Sequence, residues 1–175
     1  MKRPKIEPKK AKNTTYQIDQ SGRIEYTSHD TVLAIANGST YSVLLRANEK
    51  RLLHSIFRIY FNKNRQYVYE VFSALVYILL THMKAKSQVL IDKEYPGKED
   101  LIKLHILEYD VDKILLAENI GFGLVGKKSP AHHLAYAVFK KYQNPSKIVH
   151  SQDLIKIIFA SKKTGYSAIN GTEGS

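Results

Sequence analysis

Thr31-Val32-Leu33-Ala34-Ile35-Ala36-Asn37-Gly38-Ser39-Thr40-Tyr41-Ser42-Val43-Leu44-Leu45 is the stretch on which the reading of this chain turns. Thr31 to Ala36 is a short apolar run with the look of a buried strand. Asn37-Gly38 is the strongest local signal for a tight hairpin, because such turns need positive φ at their centre. Thr40 to Leu45 returns as an alternating, β-prone strand. Two antiparallel strands are therefore expected here, joined at Gly38.

Working outward, the period changes from two to helical. Leu52, Leu53, Ile56, Phe57 and Tyr60 recur at helical spacing, and Val68, Val71, Phe72, Leu75, Val76 and Leu79 form a second stripe. The polar break Asn62-Lys63-Asn64 leaves open one kinked helix or two. Gln88 to Asp92 reads as a strand, Tyr95-Pro96-Gly97 as a turn, Lys98 to Tyr109 as a helix and Lys113 to Ile120 as a strand. Gly121, Gly123 and Gly126 then suggest a loop with Lys127 and Lys128. Ser129-Pro130 opens a helix running to about Tyr142, with serine at the cap and proline in the first turn. Asn144-Pro145 ends it, and Ser151-Gln152-Asp153 starts a last helix from Leu154 to Phe159. Towards the amino terminus, Tyr16 to Asp19 and Arg23 to Thr27 flank Gln20-Ser21-Gly22 as a small hairpin.

Strands alternating with helices after an antiparallel start predict an α/β fold with a mixed β-sheet, an initial antiparallel hairpin and flanking helices. One domain over residues 15–160 is expected, between a disordered basic arm at 1–14 and a disordered tail at 161–175. The element order resembles the ribonuclease H-like superfamily, which includes ribonucleases H, transposases, Holliday junction resolvases and exonucleases. The likeness covers about residues 31–142. Asn37-Gly38-Ser39 stands where many members have Asp-Gly-Ser, and Asp92-Lys93-Glu94 ends the middle strand. Ser129-Pro130-Ala131-His132-His133-Leu134-Ala135 is similar to the family's late helix, with His132 where an acid is usual. In that alignment the family's first metal-binding carboxylate has no counterpart, since Ala34, Ile35, Ala36 and Asn37 occupy the first strand. Asp30, just before it, is a substitute candidate.

Asp92 and Glu94, two apart on a strand, would share a face and hold a hard cation, Mg²⁺ or Mn²⁺. Solvated acids at a strand end are the alternative. Glu118 is expected on the last strand as a third metal ligand, or at its exposed end. His132 is a catalytic candidate as ligand or general acid–base; His133 is a weaker one. Lys127 and Lys128, with Arg58, Lys63 and Arg65, are candidate phosphate contacts, and Lys9 and Lys10 belong to a basic arm that would reach for the backbone. Tyr60, Tyr67, Tyr69 and Tyr77 would stack on bases or fill the core.

The formal net charge is +11, of which the first 14 residues supply +5, so the body is itself basic. That excess favours a polyanionic partner, DNA or RNA. No cysteine is present, which excludes thiol nucleophiles, disulfides and zinc ribbons. The basic start lacks the apolar run of a signal peptide, and Tyr67 to Met83 is a buried helix rather than a membrane span. A cytoplasmic protein is expected, with a homodimer admitted by the resemblance. Three functions stand open: a metal-dependent nuclease or resolvase, a non-catalytic nucleic-acid-binding protein on the same fold, and a protein-interaction module.

Overall fold

The computed structural model describes residues 15–61, 66–84 and 87–169, with side chains up to residue 160 and excepting residue 61. The basic arm, with Lys9 and Lys10, and the pair Lys63 and Arg65 lie outside the described residues, as does the end beyond 169. Of the expected tail, 161–169 is described only as backbone.

β1 (Tyr16–Ser21) enters the sheet first. At its end Gly22 has φ +78°, a conformation that favours glycine. A Cβ there would stand 2.3 Å from the Asp30 carbonyl oxygen and 2.6 Å from Phe139 Cε2, so only glycine fits. The chain leaves the sheet over 23–30 and returns as β2 (Thr31–Asn37), antiparallel to β1 with Asp19 opposite Ala34. This corrects the expected hairpin of 16–19 with 23–27: β1 pairs with β2, and 23–27 forms turns. The excursion is held by Lys50, fully buried, whose Nζ donates to the carbonyls of Arg23 (2.9 Å) and Tyr26 (2.8 Å) and to Thr31 Oγ1 (2.9 Å). Burial lowers this amine to about 8.

Gly38 (φ +73°) closes β2 onto β3 (Ser39–Leu45), as the Asn-Gly signal indicates. Two helices follow, α1 (Ala47–Phe61) and α2 (Tyr67–His82). β4 (Val89–Asp92) then pairs in parallel with β1, and α3 (Glu99–Tyr109) follows. Lys113 to Ile120 is not a strand. Asp110 Oδ2 accepts from the Leu115 N–H at 2.6 Å, Lys113 takes φ +51°, and a 3-10 turn spans Ala117–Asn119. β4 is only four residues long, and its ladder begins at Val89 opposite Ile120, so β5 (Ile120–Gly123) starts there. Gly121 and Gly123 therefore belong to a strand and not to a loop.

Ser129 caps α4 (Pro130–Phe139), accepting from the Ala131 N–H at 3.1 Å. After Asn144-Pro145 comes β6 (Lys147–Val149), a three-residue strand beside β3 that periodicity does not reveal, and then α5 (Ser151–Ile169).

The result is a mixed six-stranded sheet in the order β5-β4-β1-β2-β3-β6, antiparallel through β1, β2 and β3 and parallel elsewhere. One face, with Ile18, Leu33, Ile35, Val43 and Ile91, packs against apolar residues of α1, α2, α3 and α5. The other presents Val32 and Ala34 to Leu134, Ala135 and Val138 of α4. α2 is apolar around most of its circumference because it lies inside the first layer, and Tyr67 there is core, donating its hydroxyl to the Ile24 carbonyl at 3.2 Å. No helix among the described residues is long and apolar enough to cross a membrane.

Candidate metal centre

The site forms where β1 and β4 run side by side. Ile18 lies level with Ile91, both in the core of the four-helix face. Alternation then turns the next residues, Asp19 and Asp92, to the α4 side. Beyond Asp92 the chain leaves the sheet: the Lys93 N–H donates to the Gly123 carbonyl (3.2 Å) and the Glu94 N–H to the Asp92 carbonyl (2.9 Å). This turn brings Glu94 back beside Asp92. The expected pairing of the two acids is present, but strand alternation is not its cause. Carboxylate oxygens of Asp19, Asp92 and Glu94 all lie within 4.8 Å of one another.

Three anions at that spacing repel, each pair by on the order of 3 kcal/mol at an effective dielectric constant of about 20. Burial and the nearby Asp19 and Asp92 push the Glu94 carboxyl up to about 7. Asp19 is raised too, chiefly by burial, against the lowering effect of the Gln20 N–H and His132. Its Oδ1 accepts from the Gln20 N–H at 2.8 Å, and its Oδ2 lies 2.6 Å from His132 Nδ1. Asp92 Oδ1 accepts from the Val125 N–H at 2.7 Å. Those bonds orient the two aspartates and leave lone pairs free on both.

α4 packs on Val32 and Ala34 through Leu134, Ala135 and Val138, and Ser129 fixes its first turn. Ser129 Oγ caps the helix and also donates to Gln17 Oε1 at 2.7 Å, locking the first turn of α4 to β1 two residues before Asp19. His132, one turn later, then meets Asp19 across the gap.

The acids line an open cleft of about 320 Å³, together with Gln20, Leu124, Gly126, Lys127 and His132. The Gln20 side chain turns the other way, its Nε2 donating to the Gly22 carbonyl at 2.8 Å, and its Oε1 is buried without a hydrogen-bond partner. Three carboxylates that close together form an all-oxygen donor set of excess negative charge, which fits a hard divalent cation such as Mg²⁺ or Mn²⁺. No family model, curated protein or solved structure matches this chain.

Asp92, Glu94 and His132 converge, with His132 against Asp19 rather than inside the carboxylate group. Glu118 does not converge. It lies in the 3-10 turn at the amino end of β5, whereas Asp92 is level with Gly123 at the carboxyl end. Asp30 is not a replacement acid, because its Oδ1 accepts from the Ala47 N–H at 2.9 Å and caps the start of α1. Lys127 stands at the cleft rim and Lys128 beside it, both exposed. Arg58 is exposed on α1, across the sheet from the acids. Sequence reasoning missed Asp19, the member that completes the group. An acid inside Tyr16-Gln17-Ile18-Asp19, followed by Gly22, was the available signal.

Proposed function

We propose that this protein is a divalent-metal-dependent nuclease of ribonuclease H-like type, acting on phosphodiester bonds of DNA or RNA. The observation that carries the reading is Asp19 on β1 beside Asp92 at the end of β4, with Glu94 returning to both. The order β5-β4-β1-β2-β3, antiparallel through β1, β2 and β3 and parallel through β1, β4 and β5, supports the superfamily resemblance. Residues 31–37 hold no acid, but Asp19 on the preceding strand supplies one, which supports the catalytic reading over the non-catalytic one.

Asp19, Asp92 and Glu94 would hold the metal, which when bound polarises the scissile phosphate and lowers the pKa of water. Asp19 orients the His132 ring through Nδ1, leaving Nε2 to exchange a proton with the attacking water or the leaving oxygen. Water would add to phosphorus and give up one proton, one P–O ester bond would break, and the leaving oxygen would take up one proton, so that the two transfers balance. Lys127 and Lys128 at the rim would hold the phosphate backbone, as would the arm with Lys9 and Lys10.

The test is cleavage of labelled single-stranded, duplex and branched DNA and RNA, with Mg²⁺, Mn²⁺ or EDTA. Cleavage that needs metal and disappears in Asp19→Asn and Asp92→Asn supports the reading. Metal-independent cleavage, or full activity in either variant, contradicts it.

A further inference from the structure

A second recess lies on the same face of the sheet, beyond α4. The helix ends at Phe139, and residues 140–146 lead into β6, leaving a cleft of about 470 Å³ over Leu44, Val138 and Ile148. That is within the ~300–1,000 Å³ range of small-ligand sites, and it exceeds the cleft at the carboxylates.

Its chemistry differs from that of the metal centre. The floor is aliphatic. Arg46 and Lys141 line it, and neither has an ion-pair partner among the described residues. The amides of Gln143 and Asn144 complete the wall. Asp30 also faces the cleft; its Oδ1 is taken by the Ala47 N–H, leaving Oδ2 to accept from a hydroxyl or an exocyclic amine. The Lys141 backbone is fixed, with φ +63° and its N–H on the Val138 carbonyl at 3.0 Å, while the next N–H, of Tyr142, bonds Ala137 at 2.8 Å. Lys141 is thus presented by a set turn. A smaller recess with Ser28, His29 and Phe139 adjoins it, sharing Asp30 and Lys141.

An apolar floor for a flat ring, amides for its polar edge and two unpaired cations for a phosphate together describe a nucleotide. We infer that this cleft binds a nucleotide unit, with Arg46 and Lys141 on its phosphate and Leu44 and Ile148 beneath its base. The unit comes either from a bound strand or from a free mononucleotide. The inference does not depend on the metal centre.

The experiment uses the full chain in EDTA, so that cleavage plays no part. Adenosine monophosphate, adenosine and a short single-stranded oligodeoxyadenylate are titrated, with amide NMR shifts and fluorescence anisotropy as readouts. Arg46→Gln and Lys141→Gly are the variants; glycine keeps the positive φ while removing the cation, and both side chains are exposed, so an unchanged melting temperature is the control. The expected result is shifts at Arg46, Gln143 and Ile148 with the monophosphate, with adenosine weaker and each variant costing about tenfold in affinity. Weakening with the mononucleotide indicates a free ligand; weakening confined to the oligomer indicates a strand. Either supports the site. If both variants bind both probes as the unaltered chain does, the inference is overturned. Glu118→Gln, exposed at the amino end of β5 and lining neither cleft, binds the monophosphate as the unaltered chain does.

Discussion

At the scale of single residues, the centre is a balance between repulsion and use. Glu94 has the clearest consequence for pH. Its carboxyl titrates near 7 in the folded chain and near 4.5 when unfolded, so the folded state holds the extra proton between those values. Stability from this group is full below about 4.5 and is lost as pH rises through about 7. In EDTA the melting temperature is therefore expected to fall across that window, with a free-energy change on the order of 2 kcal/mol. Glu94→Gln should flatten the fall. A flat profile in the unaltered chain would contradict a Glu94 carboxyl both buried and crowded by Asp19 and Asp92. His132→Ala, by contrast, removes an orienting partner of Asp19 and a proton carrier. Cleavage should drop by about 10–100-fold while nucleic-acid affinity holds; equal losses in both would assign His132 to binding instead. Asp92, Glu94 and His132 were legible because acids at a strand end and histidine in a first helical turn are local signals. Asp19 was not, because its role depends on which strand lies beside β4.

At the scale of elements, local chemistry reads well and pairing does not. Asn37-Gly38 announces the β2–β3 hairpin, and Ser129-Pro130 announces α4, since each turn or cap is decided within a few residues. Gln20-Ser21-Gly22 has turn chemistry, so its sequence points β1 to 23–27 rather than to its true partner β2. Gly22 does turn the chain, but into an excursion anchored by Lys50, a contact that no window around Gly22 contains. The apolar run Ile114-Leu115-Leu116 suggests a strand, yet Ile114 and Leu116 are more than half exposed. β6 is too short to carry a period. The excursion's anchor is testable. Lys50→Met leaves two carbonyls and a hydroxyl without their donor, and should cost about 2–4 kcal/mol in urea unfolding. Gly22→Ala should cost more than about 1 kcal/mol, from the positive φ and the clash with Asp30 and Phe139. Neutral effects at both positions would mean that 22–30 does not seat β1 against β2.

At the scale of the whole molecule, net charge and the sheet face combine. The carboxylates, Lys127 and the Arg46–Lys141 cleft all lie on the α4 side, while the large hydrophobic core fills the other. The net charge of +11 should make nucleic-acid affinity fall steeply with salt, in a straight line on logarithmic axes. Deleting residues 1–14 should shallow that line and leave the melting temperature unchanged. Affinity indifferent to salt would remove phosphate contacts as its basis. The deciding measurement is direct metal binding, by calorimetric titration of Mn²⁺ into the full chain and into Asp19→Asn. The account predicts saturable binding to the unaltered chain that the single substitution on β1 abolishes. Equal heats from both proteins, or none from either, would contradict a cation held by Asp19, Asp92 and Glu94.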